Sequence, residues 1–412
     1  MYLMITRRRP NRRKQVLRFH TGNDVVSCNP LNRAAKAPFS EQHETSASLS
    51  IPSPSQRQRQ SGARRCIHSI SRIWFMCLTG LLLFAMENAR AAEHDHILWT
   101  IRWNQDGSLF AVGGVRALWV FDSDTFEGKS LLPDTQGLFS NEDDNPYWAV
   151  TRVAWNPSSN LLAVSSQGKN VNGIYDIFFG NRTALTAHQN HFGRGVSWSP
   201  DGSRLALTSD DELMISKADG TVLHSIPRYK EAKGLSGVSW SPAGDRIVTI
   251  GARITLHDAQ GEPIKQIMHR SEAQERDQLL LSVAWHPSGE FFVVGDYGTE
   301  VDDPVLQFWS VDGELLKSTR LKGDTQVRDV SWSPDGSRLA SASSKLRLWT
   351  KEGELLHETE SPDLLWGVDW HPKGDKILTS SIEGRVTLWT PTGEIVKEVV
   401  VPPDLQAGQT SR

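Results

Sequence analysis

The chain has 412 residues, 38% hydrophobic and 23% charged, the composition of a globular protein long enough to bury a large core. Its charge is unevenly spread: residues 1–72 hold twelve Arg and two Lys against Asp24, Glu41 and Glu44, a net of +11, so with −3 overall the remainder carries −14. An acidic globular part argues against nucleic-acid binding, and cysteines only at 28, 66 and 77 leave the rest of the chain without a Cys-based metal site, haem site or disulfide framework.

Residues 1–65 are rich in Arg, Ser, Gln and Pro and lack apolar periodicity, so they are expected to form a disordered basic leader, either spurious or a targeting segment. Within 66–91, the run 73–86 (IWFMCLTGLLLFAM) is apolar but short of the ~20 residues of a spanning helix. Arg64, Arg65 and Arg72 precede it and Ala89-Arg90-Ala91 follows, the layout of a signal peptide cleaved near Ala91. The expectation is an exported protein: periplasmic, secreted or in an organelle lumen. An uncleaved segment would instead make a single-pass anchor, the one case in which a membrane is a partner.

From residue 94 to 401 one pattern recurs seven times: a hydrophobic run ending in Trp, a short turn, then a second apolar strand. Examples are VSWSPDGSRLALTS from 196, VAWHPSGEFFVVGD from 283 and VDWHPKGDKILTSS from 368. The shared Trp falls at 103, 155, 198, 240, 285, 332 and 370, spaced 38 to 52 residues apart. Self-similarity at this period marks a repeat architecture. Each copy reads as a hairpin, with Pro and Gly shaping its turn, followed by a third strand, a second Gly turn and a fourth strand. One such meander cannot cover both of its faces, whereas a closed ring of them can. The predicted fold is all-β: a seven-bladed β-propeller with four antiparallel strands per blade. Every repeat supplies its own fourth strand, through EIVKEVV at 394–400, so closure is expected by blade packing and not by a shared strand. Residues 402–412 are expected to be a disordered tail.

The W-S-P-D-G-S-R-L-A step and the third-strand ends Trp309-Ser310, Trp349-Thr350 and Trp389-Thr390 resemble the WD-repeat β-propeller family over nearly all of 94–401. The family's Trp-Asp pair is altered, with only Phe121-Asp122 and His257-Asp258 keeping the Asp. The Gly-His pair before the first strand is absent, and the turn Asp is mostly lost. The resemblance implies a scaffold for protein–protein interaction. The same step also occurs in exported TolB-like propellers, usually of six blades.

Loop lengths point to a working face. Blades two and five carry about seven extra residues between their second and third strands, at 167–173 and 296–303. Long connections between blades lie at 131–147, 184–193 and 269–279. Strand alternation puts all of these on one face, and loops on a rigid scaffold carry recognition. The residues four before each Trp should ring the channel mouth there, with Arg152 and Asp329 following next after Thr151 and Arg328. Trp99, Arg152, Arg194, Arg328 and Trp366 are the candidate binding residues, Trp and Arg being the types enriched at interface hot spots. Trp99 and Trp366 also suit packing between blades one and seven, and Arg194 and Arg328 suit pairing with nearby acids.

No nucleophile elbow, phosphate loop or haem motif is present. His94, His96, His188 and His191, and the acidic stretches 141–145 and 296–303, lack metal-ligand spacing. The expectation is a monomeric, non-catalytic scaffold without cofactor or metal, binding a protein or peptide and no nucleic acid. The contrasting reading is a channel-site enzyme or a binder of a small ligand or metal.

Overall fold

A computed structural model describes residues 97–115, 117–131, 149–167, 171–185, 193–228, 234–270, 279–298 and 303–401. The leader, the apolar run, the tail, the four His residues named above and the acidic stretch 141–145 lie outside the described residues, as do parts of the long loops.

Among the described residues twenty-eight strands form seven separate antiparallel sheets, each of four consecutive strands. Blades one to seven occupy 98–130, 150–184, 193–227, 235–267, 280–320, 329–360 and 365–400. Strands within a blade are lettered a to d from the ring axis outward. Strand a of each blade packs against strand a of the next, and strand a of blade seven packs against that of blade one. Among the described residues each sheet consists of four consecutive strands and none is exchanged at the closure, as the complete fourth strand of each repeat predicts.

The hydrophobic cores lie between blades. Ile101, Phe110 and Phe121 of blade one pack with Leu378, Val386 and Leu388 of blade seven. Comparable clusters join each remaining pair of neighbours. This explains why strand b reads as an almost continuous apolar run: both of its faces meet a neighbouring sheet.

The shared Trp ends strand a and is buried in all seven blades. It wedges against the preceding blade: the Nε1 groups of Trp155, Trp198 and Trp285 donate to the carbonyls of Arg102, Ala154 and Ser239 at 3.0, 3.0 and 3.2 Å. The residue just before the Trp adds a second tie. Trp240 N donates to Ser197 Oγ at 3.0 Å, Trp370 N to Ser331 Oγ at 3.2 Å, and Trp103 N to Asp369 Oδ2 at 2.8 Å.

Part of a third-strand network survives the altered Trp-Asp pair. Trp349 Nε1 donates to Ser341 Oγ at 2.9 Å and Trp389 Nε1 to Thr379 Oγ1 at 2.8 Å. In blade four His257 takes that place: Nδ1 donates to Gly261 O, leaving Nε2 to accept from Thr249 Oγ1, both at 2.9 Å. Burial lowers the His257 pKa to about 4, so the ring is neutral as this pattern requires.

Candidate interaction surfaces and the central channel

The a–b and c–d turns lie on one face of the ring; the b–c loops and the connections between blades lie on the other. A cavity of about 590 Å³ opens along the channel on the a–b turn side, lined by the Trp residues of blades one to six and the turn residues Pro157, Pro200, Pro242 and Pro287.

Charged side chains from strand a cross this channel. Arg102 of blade one makes a two-pronged pair with Asp329 of blade six, Nη1–Oδ2 at 2.7 Å and Nη2–Oδ1 at 3.0 Å, and also donates to Val368 O of blade seven at 3.0 Å. Arg152 of blade two reaches the opposite wall, donating to Leu281 O at 3.0 Å and Arg328 O at 3.3 Å, with Nη1 3.4 Å from Asp329 Oδ1. Asp369 accepts from Trp103 N and from Ser331 Oγ at 2.9 Å.

Burial works to raise the pKa of Asp329, but Arg102 and Arg152 outweigh it, so Asp329 stays below the usual carboxylate range. Burial also opposes the charge of Arg102, and its two carboxylate neighbours hold the pKa above normal. Asp369 is different: burial, helped by Asp329, pushes it up to about 6 against the pull of Arg102 and the two hydrogen bonds. The convergent polar groups of the channel are therefore spent largely on one another, tying blades one, two, six and seven.

Five candidate residues were read from the sequence. Trp99 and Trp366 pack together with ring centroids 5.1 Å apart, and Trp366 is buried. The Arg328 guanidinium lies 3.7 Å from the Trp366 centroid and 4.9 Å from that of Tyr297. These four residues, from blades one, seven, six and five, make a continuous ladder at the mouth. Arg194 stands apart, paired with Asp210 at 3.0 Å. Arg152 lies inside the channel as a crossbar, not on the rim. For Trp99, Arg194 and Trp366 the reason is a β-bulge. In six blades the strand a–b register slips at the position four before the Trp, which holds Trp99, Thr151, Arg194, Ser236, Leu281 and Trp366. An unbroken alternation does not describe these side chains.

The long-loop face is anchored from below. Asp296, fully buried at the end of strand b in blade five, accepts from Arg270 Nε and from Val305 N, both at 2.7 Å. Burial raises its pKa to about 6, partly offset by Arg270. His269, 3.6 Å away, is lowered to about 4 by burial and by Arg270, so at neutral pH it is the uncharged neighbour of an Arg270–Asp296 pair. In blade six Arg347 ties Asp324 of the preceding connection to Glu358, each at 2.6 Å. In blade seven Arg385 holds Asp363 at 2.9 Å. Among the described residues no cluster of three or more His, Cys, Asp or Glu has the layout of a metal site.

The sequence reading missed Arg102 and Asp369, although both occupy the position just before the shared Trp, where other blades carry Ala or Ser. It also missed Phe178 and Phe179 in the c–d turn of blade two, which are 71% and 81% exposed.

Comparison with known proteins agrees with this architecture. Residues 353–390 match the family model described as WD domain, G-beta repeat, and residues 206–368 match that of eukaryotic translation initiation factor eIF2A. THO complex subunit 3 of Arabidopsis thaliana is 24% identical over 261 residues, 61% of this chain and 75% of that protein. Protein HIR1 of Cryptococcus neoformans is 29% identical over 126 residues, 29% of this chain but 13% of HIR1. A solved chain of the mitotic checkpoint complex superposes with a TM-score of 0.57 at 17% identity, covering 71% of this chain and 86% of that one, a likeness of fold. These matches correct the expectation of export: the THO subunit, HIR1 and the eIF2A-like domain are eukaryotic nuclear or cytoplasmic proteins, not exported ones. No helix among the described residues is long and apolar enough to cross a membrane. The seven-fold repeat, the ring it builds and the match of residues 353–390 to the repeat model together make this chain a seven-bladed β-propeller similar to the WD-repeat family.

Proposed function

We propose that the chain is a non-catalytic scaffold that holds a protein or peptide partner on its long-loop face, at the channel mouth. The observation that carries this reading is the ladder Trp99–Trp366–Arg328–Tyr297. It draws aromatic and Arg side chains, the types that anchor interfaces, from four blades onto one rigid rim, with Trp99 and Arg328 only half buried. The similarity to a THO complex subunit favours a place within an assembly. So does the channel chemistry, since the convergent charges there close the ring.

The test is affinity purification of the full-length chain from its native cells, compared with Trp99→Ser and Arg328→Ala forms. A stoichiometric protein partner is expected, with affinity at least tenfold weaker for each variant, measured at a temperature where each variant is still folded by its thermal melt. A chain that purifies alone, or a partner retained equally by both variants, overturns the reading.

A further inference from the structure

The opposite face carries a second, chemically distinct surface. Its c–d turns span 123–127, 177–181, 218–221, 259–262, 311–314, 351–354 and 390–394. Together they hold nine acids and a single base, Lys351, so this rim is acidic in every blade but one. Asp124, Asp219, Glu262, Asp312, Glu352 and Glu394 are exposed, one from each of six blades. Blade two has no acid in its turn. Its sequence is Ile177-Phe178-Phe179-Gly180-Asn181, and Phe179 occupies the place before the turn glycine that Asp219, Gln260, Asp312, Glu352 and Thr392 fill elsewhere.

The two rings are held out rigidly. Asp176 Oδ1 accepts from Phe178 N at 3.1 Å and Phe179 N at 3.0 Å, while Gly180 N donates to Asp176 O at 2.9 Å. Ile177 beneath them packs into the core between blades one and two. Among the described residues no other Phe or Trp is exposed; the remaining exposed large hydrophobics are aliphatic and lie on or beside the outer strands. Two neighbouring Phe side chains at this exposure, on a turn already fixed, form a preorganised anchor that loses little entropy on binding.

We propose that the Phe178–Phe179 knuckle is a docking surface for a basic, amphipathic protein segment. Its apolar side chains pack around the two rings, and its Lys and Arg side chains meet the surrounding turn carboxylates. The charge of the rim selects this occupant. The same carboxylates repel the identical face of a second copy and the headgroups of an anionic membrane.

Binding of two labelled amphipathic peptides to the full-length chain tests this, one built of Lys and Leu and the other with every Lys replaced by Glu. The Lys/Leu peptide is expected to bind, at least tenfold more weakly to Phe178→Ser/Phe179→Ser, and more weakly to Asp124→Lys/Asp219→Lys, on the turns of the two neighbouring blades, and in 300 mM than in 50 mM NaCl. The Glu/Leu peptide is expected not to bind. Trp99→Ser and Arg328→Ala are expected to leave this binding unchanged, which separates it from the long-loop face. Equal binding of the Lys/Leu peptide by the wild type and the Phe variant overturns the proposal, as does failure of the wild type to bind it. Self-association by sedimentation that the Phe variant abolishes assigns the knuckle to a second copy and overturns it. Binding to phosphatidylcholine vesicles that depends on the two Phe assigns it to lipid, with the same consequence.

Discussion

The Trp that ends each inner strand serves the ring in two ways, as a buried wedge between blades and as a hydrogen-bond donor. Trp155 shows both, and two substitutions separate them. Trp155→Phe keeps most of the wedge and loses the bond to Arg102 O, an expected cost of about 1 kcal/mol. Trp155→Ala loses both, at about 3–5 kcal/mol; urea denaturation of each variant measures the difference. Asp329 is buried between two half-buried arginines, so Asp329→Ala strands both and should cost about 3 kcal/mol in the same measurement. Asp369 acts through protons. Its folded pKa of about 6 lies above the ordinary 3.8, so the native state holds its proton more tightly. The stability this contributes is present below pH 3.8 and is lost as pH rises through about 6. Relative to Asp369→Asn, the wild type should therefore lose melting temperature steadily between pH 4 and 7; a flat difference would show that Asp369 ionises normally. The wedge was legible in the sequence because it repeats seven times. The Arg102–Asp329 pair was not, because its partners are 227 residues apart and meet only when the ring closes.

At the scale of strands and turns, glycines show where one blade touches the next. Gly107, in the a–b turn of blade one, has φ +76°, and a Cβ there would lie 2.1 Å from His371 Nε2 of blade seven. Gly180 has a similar φ of +69°, with nothing within 4 Å of such a Cβ. Gly180→Ala should thus cost only backbone strain, about 1 kcal/mol, whereas Gly107→Ala should cost clearly more and act at the ring closure. Equal melting temperatures for the two variants would remove His371 from the account of closure. The turns and strand order were readable from Pro, Gly and alternation. The bulges at Trp99, Thr151 and Arg194 were not, because a bulge changes the register between two strands and leaves the composition of either one unaltered.

At the scale of the ring, closure rests on blade seven packing against blade one, with no strand shared among the described residues. A chain ending before Leu365 would leave the core faces of Ile101 and Phe110 open on one side and that of Leu348 open on the other. Calorimetry should then show loss of the single cooperative melt, together with aggregation, since a propeller protects its sheets only as a ring. The sequence by itself determined the blade count, the four strands of each blade and the manner of closure, because each of these is a local pattern repeated at a period. It also supplied the residue types of the long-loop rim. Only the tertiary structure decided that Arg152 bars the channel, that Trp366 is buried under Arg328, and that Phe178 and Phe179 stand free in an acidic rim. These are relations between side chains of different blades. Their distances are fixed by the curvature of the closed ring, and no segment of the chain contains that curvature on its own.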